Sequence, residues 1–234
     1  MLLHRWKGIE KPKSITRRTI FMNTNLELIK QHWETNLITY DPKYINGLGF
    51  NNNTIDFLTN VGLMRGKPYE SIGRFVFLDV FVSETIKGSN FIKLAENFFY
   101  PEEGIYIELG SDNLFCINLE LKGDFLINSF CNSTIENFVL FETINKRNET
   151  LYPNLDDDEK EGYQCARETI KQFKEIDMPA IYPYSYWTAT MLEYAINFFY
   201  DTDDKFKQAL QSNRYRSIDD AYFDVLINGF EVLK

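Results

Sequence analysis

The sequence predicts an α+β fold, in which a central, mainly antiparallel mixed β-sheet is flanked by helices and followed by a helical C-terminal part. Segments rich in β-branched and aromatic residues are confined to the middle of the chain, between residues 74 and 130. Segments with apolar residues at helical spacing precede and follow them. Short turns separate the last three strands, which indicates consecutive antiparallel hairpins.

Two helices are expected before the sheet. In the first, Thr24 and Glu27 have the spacing of a capping box, in which each side chain satisfies a free backbone donor. The apolar residues that follow, such as Ile29, fall on one face. The second helix is expected to begin at Thr54 and to end at Gly62, where a left-handed residue belongs.

Four strands are predicted next, in the segments RFVFLDVFVSE, GIYIELG, LFCINLE and DFLINSF. The last three are joined by turns at residues 110–112 and 122–124. After the last strand, at Ile135, the apolar spacing becomes helical. Ser133 is expected to be the N-cap of that helix, with Glu136 completing a capping box, and Cys131 is interpreted as a small residue of the joint. Three more amphipathic helices are predicted in residues 155–177, 185–201 and 217–229.

The charge divides the chain into two parts. Residues 1–21 carry six basic residues and one acid, a net +5, which leaves −14 on the rest of a chain whose net charge is −9. This leader is expected to be loosely ordered. Residues 22–234 are expected to form a single domain, with a helix and sheet core at 22–150 and a helical part at 151–234. An acidic domain repels phosphate backbones, so the charge favours a basic protein partner over nucleic acid.

The composition limits the location and the chemistry. No apolar run approaches the length that spans a bilayer, and three widely spaced cysteines do not suggest a disulfide framework, so a cytoplasmic location without membrane insertion is expected. The two histidines, His4 and His32, leave the rest of the chain without a base for a serine or cysteine nucleophile. Zinc, phosphate-loop and dinucleotide motifs are missing. No catalytic, cofactor or metal residue is therefore predicted, and an enzyme would need a carboxylate pair in a cleft.

The order of several motifs resembles the SUKH superfamily. The segments FLTNVGLMRG, IYIELGSDNLFCINLE and FCNSTIENFVLF are similar to its helix ending in a Val-Gly-Leu-Pro-like turn, its Ile-Gly strand exit, and its Asn-Ser-Ser/Thr step into a helix. The segment FKEIDMPAIYPYSYWTATMLEYAI resembles the ending of the fourth immunity subgroup, where an Ile-Asp-Pro step precedes a helix with an early Trp. Met64 departs from the proline of the turn, and Leu109-Gly110 from Ile-Gly. The likeness covers residues 40–200.

The resemblance implies a cytoplasmic immunity protein that binds and neutralises a toxin of the nuclease or nucleic-acid deaminase type. The alternative within the superfamily is a non-enzymatic regulatory scaffold of the Smi/Knr-like kind. An acidic face would suit a basic toxin, and six acids are predicted to contribute to it: Glu108, Asp112, Asp156, Asp157, Asp158 and Glu159. The aromatic run at residues 182–187 becomes a second interface candidate if several of its side chains are exposed together.

Overall fold

The computed structural model describes residues 16–65, 75–120, 127–155, 157–201, 203–211 and 214–233, with the side chains of 16–24, 127–128 and 203 excepted. Its helices are α1 (Thr16–Trp33), α2 (Pro42–Asn46), α3 (Asn52–Asn60), α4 (Ile135–Leu151), α5 (Glu159–Ile176), α6 (Tyr186–Asp201), α7 (Asp203–Gln211) and α8 (Ile218–Asn228). Its strands are β1 (Leu37–Ile38), β2 (Leu63–Met64), β3 (Phe75–Ile86), β4 (Ser89–Asn97), β5 (Glu103–Glu108), β6 (Leu114–Asn118) and β7 (Ile127–Asn132).

The predicted α+β class is confirmed, since helices flank an antiparallel sheet and form the C-terminal part. The main sheet has five strands in the order β3-β4-β5-β6-β7, so each strand pairs with its neighbour in the chain. Every recorded pairing is antiparallel, and the mixed character that was expected is not seen among the described strands. Strands β1 and β2 form a separate antiparallel pair.

Strand β4 was not predicted, because its sequence does not alternate. Residues 91–95 are buried on both faces of the sheet, and the register against β5 shifts between Lys93 and Ala95. A bulge of this kind interrupts the two-residue period that identifies a half-buried strand. Helices α2 and α7 and the short strands β1 and β2 were also missed. The turn predicted at 122–124 and the first residues of the last predicted strand lie outside the described residues.

The predicted starts of the first two helices are wrong. Helix α1 begins at Thr16, so Thr24 lies inside it and residues 16–21 of the leader are helical. The N-cap of α3 is Asn51, whose side chain accepts a hydrogen bond from the Thr54 backbone N–H at 2.9 Å. The predicted end at Gly62 is confirmed: its φ is +89°, and any side chain there would collide with the Ile38 carbonyl.

One hydrophobic core connects the sheet to the helices, and its buried residues run from Ile29 to Ile227. Its aromatic centre lies between α4, α5 and α6, where the rings of Phe141 and Phe173 stack with centroids 3.8 Å apart and Trp187 packs edge-on against both. Helices α5 and α6 approach closely because Gly162 faces the Tyr194 carbonyl, and a Cβ there would overlap it. No helix in the described ranges is long and apolar enough to cross a membrane.

Candidate partner-binding surface

A buried polar network joins the end of β7 to the loop between α5 and α6. The Asp177 carboxylate is buried and accepts three hydrogen bonds: from the Ser133 backbone N–H at 2.8 Å, from the Ser133 hydroxyl at 2.8 Å, and from the Asn132 amide at 3.2 Å. The Asn132 side-chain oxygen in turn accepts from the Trp187 indole N–H at 2.7 Å. The Asn-Ser-Thr step and the Ile-Asp step with its later Trp are therefore parts of one hydrogen-bonded network.

The predicted role of Ser133 is wrong in detail, because the N-cap of α4 is Thr134. The Thr134 hydroxyl accepts from the Asn137 backbone N–H at 3.1 Å, while the Ser133 hydroxyl points to Asp177. Glu136 consequently does not close a capping box with Ser133. Cys131, expected to be partly buried, is fully buried, and burial raises the pKa of its thiol well above the ordinary value, so it is unsuited to nucleophilic chemistry.

The different roles of Thr134 and Ser133 predict different losses of stability when each is replaced by alanine. Thr134→Ala removes only the cap and is expected to cost about 1 kcal/mol, whereas Ser133→Ala removes a hydrogen bond to a buried carboxylate and is expected to cost about 1.5–3 kcal/mol. Urea unfolding of the two variants, with Thr134→Ser as the control that keeps a hydroxyl, measures both values. A larger loss for Thr134→Ala than for Ser133→Ala would contradict these roles.

The loop after Asp177 presents apolar side chains to solvent. Met178 is 68% exposed, Tyr182 43% and Tyr184 51%, whereas Tyr186 and Trp187 are buried in the core. Tyr182 and Tyr184 of the aromatic run are therefore exposed together with Met178. Joint exposure was the requirement for this run to be an interface candidate, and it is met. Large exposed apolar side chains that lie close together mark interaction sites more often than isolated ones do.

The same loop is held in one conformation. The Thr188 hydroxyl donates to the Tyr182 carbonyl at 2.7 Å, and the Ser185 hydroxyl donates to the Ala180 carbonyl at 2.8 Å. Tyr184 has a φ of +65°, uncommon for a bulky residue, and its hydroxyl donates to Asp220 at 2.7 Å. A side chain that is already ordered loses less entropy when a partner binds.

A groove lies where α3, the start of α4 and the end of α5 meet. Its volume is about 460 Å³. Three carboxylates line it, one from each of these helices, namely Asp56, Glu136 and Glu175, together with asparagine side chains and an apolar part. None of the described residues that line the groove is basic. Its last residue on α5, Ile176, directly precedes Asp177 and the exposed Met178.

Glu136 has the least solvated carboxylate of the three. It is half-buried and has no hydrogen bond or ion pair with any described residue, and burial raises its pKa. A desolvated carboxylate without a cation is stabilised by any cation that reaches it. The groove therefore has the chemistry of a site for a lysine or arginine side chain.

The six predicted acids do not form one surface. Glu108 is half-buried at the end of β5 and accepts from the Ser111 hydroxyl at 2.8 Å. Asp112 is only 2% exposed, and one of its carboxylate oxygens accepts from the Asn51 backbone N–H at 3.1 Å. Its inclusion in an exposed acidic face is therefore wrong, since Asp112 links the β5–β6 turn to the start of α3.

The acids before α5 lie on another part of the molecule. Asp156 lies outside the described residues, while Asp157, Asp158 and Glu159 are exposed. Asp158 is the N-cap of α5 and accepts from the backbone N–H groups of Lys160 and Glu161, so its carboxylate has a structural role at the helix start. A hydrogen bond shared with the Asp201 carboxyl raises the pKa of Glu159. No recorded contact joins these acids to Glu108 or Asp112 across the described ranges.

The groove carboxylates were missed from the sequence. Asp56, Glu136 and Glu175 come from three helices far apart in the chain, and only the packing of those helices brings them to one groove. Of the three, only Glu136 was singled out in the sequence, as the capping-box partner of Ser133. Among the described residues, no group of three or more histidine, cysteine or acidic side chains is arranged to hold a metal ion.

Comparison with known proteins adds no relative. A scan of protein-family models, a search of curated proteins and a search of solved structures each returned no match. The class that the structure defines is thus an α+β domain with a five-stranded antiparallel meander and a helical C-terminal part.

Proposed function

We propose that this chain is a cytoplasmic immunity protein, which binds and neutralises a basic toxin of the nuclease or nucleic-acid deaminase type. One structural observation carries the proposal. The described lining of the groove holds three carboxylates and no basic residue, and its last residue on α5, Ile176, is followed after Asp177 by a loop that exposes Met178, Tyr182 and Tyr184, the Met-Tyr-Tyr loop. The net charge of −14 on residues 22–234 supports it, because an acidic protein attracts a basic partner over a distance.

In the proposed complex, the acidic groove and the Met-Tyr-Tyr loop contribute different interactions. The carboxylates Asp56, Glu136 and Glu175 receive cationic side chains of the toxin, and Met178, Tyr182 and Tyr184 supply apolar contact area. Charge complementarity mainly accelerates association and selects the partner, while buried aromatic anchors slow dissociation. Neutralisation by occlusion needs no catalytic group in the inhibitor.

The proposal predicts which charges matter for protection. Cells that express the toxin encoded beside this gene are expected to grow when wild-type protein is present. Glu175→Lys and Glu136→Gln should weaken binding at least about tenfold, equal to about 1.4 kcal/mol, because each removes a carboxylate from the groove. Glu193→Lys, an exposed change on α6 with the same charge difference as Glu175→Lys, is the matched control and should protect normally.

Different outcomes separate the alternatives. Equal protection by all three variants would contradict the groove as the binding site. The absence of a toxin gene beside this one, with retrieval of a protein of the same cell through the Met-Tyr-Tyr loop, would favour the regulatory scaffold. Tyr182→Ala and Tyr184→Ala would then reduce that retrieval.

A further inference from the structure

A second pocket lies between α1, α4 and α5, and its character differs from that of the acidic groove. Its volume is about 480 Å³, within the range of small-molecule sites. Residues from all three helices contribute to its lining, chiefly Leu28, His32, Ile144, Arg147, Leu151 and Gln172. The two ionisable side chains among its described lining residues are both basic, although the chain as a whole is acidic.

Arg147 is the uncompensated charge of this pocket. Its guanidinium is exposed and makes no hydrogen bond or ion pair with the residues that the structure describes. The neighbouring Lys146 is different, because its ammonium contacts the Glu149 carboxylate at 2.8 Å. The free guanidinium fork can hold both oxygens of a carboxylate at once.

His32 is the second basic group, and it is half-buried. Burial lowers its pKa, and the positive charges of Arg147 and Lys146 lower it further. The imidazole is therefore mainly neutral at pH 7, when the pocket is empty. An anion placed between His32 and Arg147 would oppose those positive charges and raise the pKa of His32.

Besides the two basic groups, the lining has an apolar part and three uncharged polar residues, Asn148, Thr150 and Gln172. Leu28 and Ile144 line the pocket, and Leu151 is 73% exposed at the end of α4. A ligand that carries only charge would leave these side chains in water, whereas an apolar group would cover them and gain free energy from the buried area.

We infer that this pocket binds a small organic carboxylate with an apolar body, its carboxylate on Arg147 and His32 and its hydrocarbon part against Leu28, Ile144 and Leu151. The site is separate from the acidic groove, and the inference does not depend on the proposed function. The lining amide of Gln172 offers a further hydrogen bond to the carboxylate.

Proton NMR of the His32 ring tests this site directly, with octanoate as the probe. The variant His4→Gln removes the other histidine, so one imidazole signal remains to be followed. Octanoate is expected to shift that signal saturably and to raise the pKa of His32. Neither inorganic phosphate, which lacks the apolar body, nor 1-octanol, which lacks the charge, should match octanoate at equal concentration.

Variants of the pocket complete the test. Arg147→Gln is expected to weaken octanoate binding at least about tenfold, and Leu151→Glu, at an exposed position, should do the same by placing a negative charge beside the ligand. Lys43→Gln removes one exposed positive charge outside the pocket and should leave the affinity unchanged. Equal affinity in Arg147→Gln, an equal response to phosphate or to 1-octanol, or no saturable shift at millimolar octanoate would overturn the inference.

Discussion

Replacing Asp177 by alanine is expected to lower the free energy of unfolding by about 3–5 kcal/mol, because three donors would lose a buried acceptor together. The Asn132 amide and the Ser133 backbone N–H and hydroxyl all donate to this carboxylate. Hydrogen bonds to charged groups contribute more than neutral ones, and an unsatisfied buried donor costs about 1–3 kcal/mol. Urea unfolding followed by tryptophan fluorescence measures the loss, since Trp187 belongs to the same network.

Two further variants test whether the loss of stability comes from the buried Asp177 carboxylate. Asp177→Asn keeps one acceptor oxygen but turns an amide group toward donors, so it should fall between the wild type and Asp177→Ala. Asp157→Ala removes an exposed acid and should change stability by no more than about 0.5 kcal/mol. A loss below about 1 kcal/mol for Asp177→Ala would show that the network contributes little to stability.

Glu142→Gln is expected to stabilise the protein increasingly as the pH rises. Glu142 is buried in α4, and burial raises its pKa to about 8, with Lys146 acting in the opposite direction and Glu149 adding to the rise. The folded state therefore holds a proton that the unfolded state releases near its ordinary pKa of 4.5. Between pH 4.5 and about pH 8, this group therefore lowers the free energy of unfolding of the wild type by about 1.4 kcal/mol per pH unit. Above this range it lowers the free energy no further.

The difference between wild type and variant isolates this group. Below pH 4.5 both proteins carry a neutral side chain at position 142, so their stabilities should be similar. At pH 8 the glutamine variant should be more stable by several kcal/mol. The exposed Glu193→Gln is the control and should show no comparable trend. A stability difference that does not change with pH would contradict a buried, protonated Glu142.

The sheet and most helices could be predicted because their signals are local. Each of the five strands of the main sheet pairs with its neighbour in the chain, and three of them were predicted as consecutive hairpins from their turns and alternation. The errors arose where tertiary packing replaces local signals: β4 is buried on both faces, and Asn51 rather than Thr54 caps α3. Both asparagine and threonine are good caps, so local sequence could not decide between them.

The candidate site was less predictable than the fold. An acid can contact a partner only if it is exposed. The sequence does not show that Asp112 is buried and bonded to the Asn51 backbone N–H. The groove requires Glu136 and Glu175 to approach from different helices, which no spacing in the chain reveals. The aromatic run was recognised, but only the structure separates the exposed Tyr182 and Tyr184 from the buried Trp187.

The hydrogen-bonded network around Asp177 gives the SUKH-like motifs a structural role. Asn132, Ser133, Asp177 and Trp187 belong to the steps on which the resemblance to SUKH proteins rests, and all are engaged with one another inside the fold. Such residues specify a scaffold, whereas binding depends on the surfaces that the scaffold carries. Under the proposed function, partner choice is accordingly expected to vary with the groove and loop residues.

Association kinetics test the proposed acidic groove most directly. The rate constant is measured for the proposed basic toxin, in an inactivated form, with the wild-type protein and with Glu175→Lys. We expect the wild-type rate constant to fall steeply as salt is raised, and the rate constant of Glu175→Lys to be lower at low salt and less sensitive to salt. Rate constants that coincide for the two proteins, with no dependence on salt, would contradict binding through the groove.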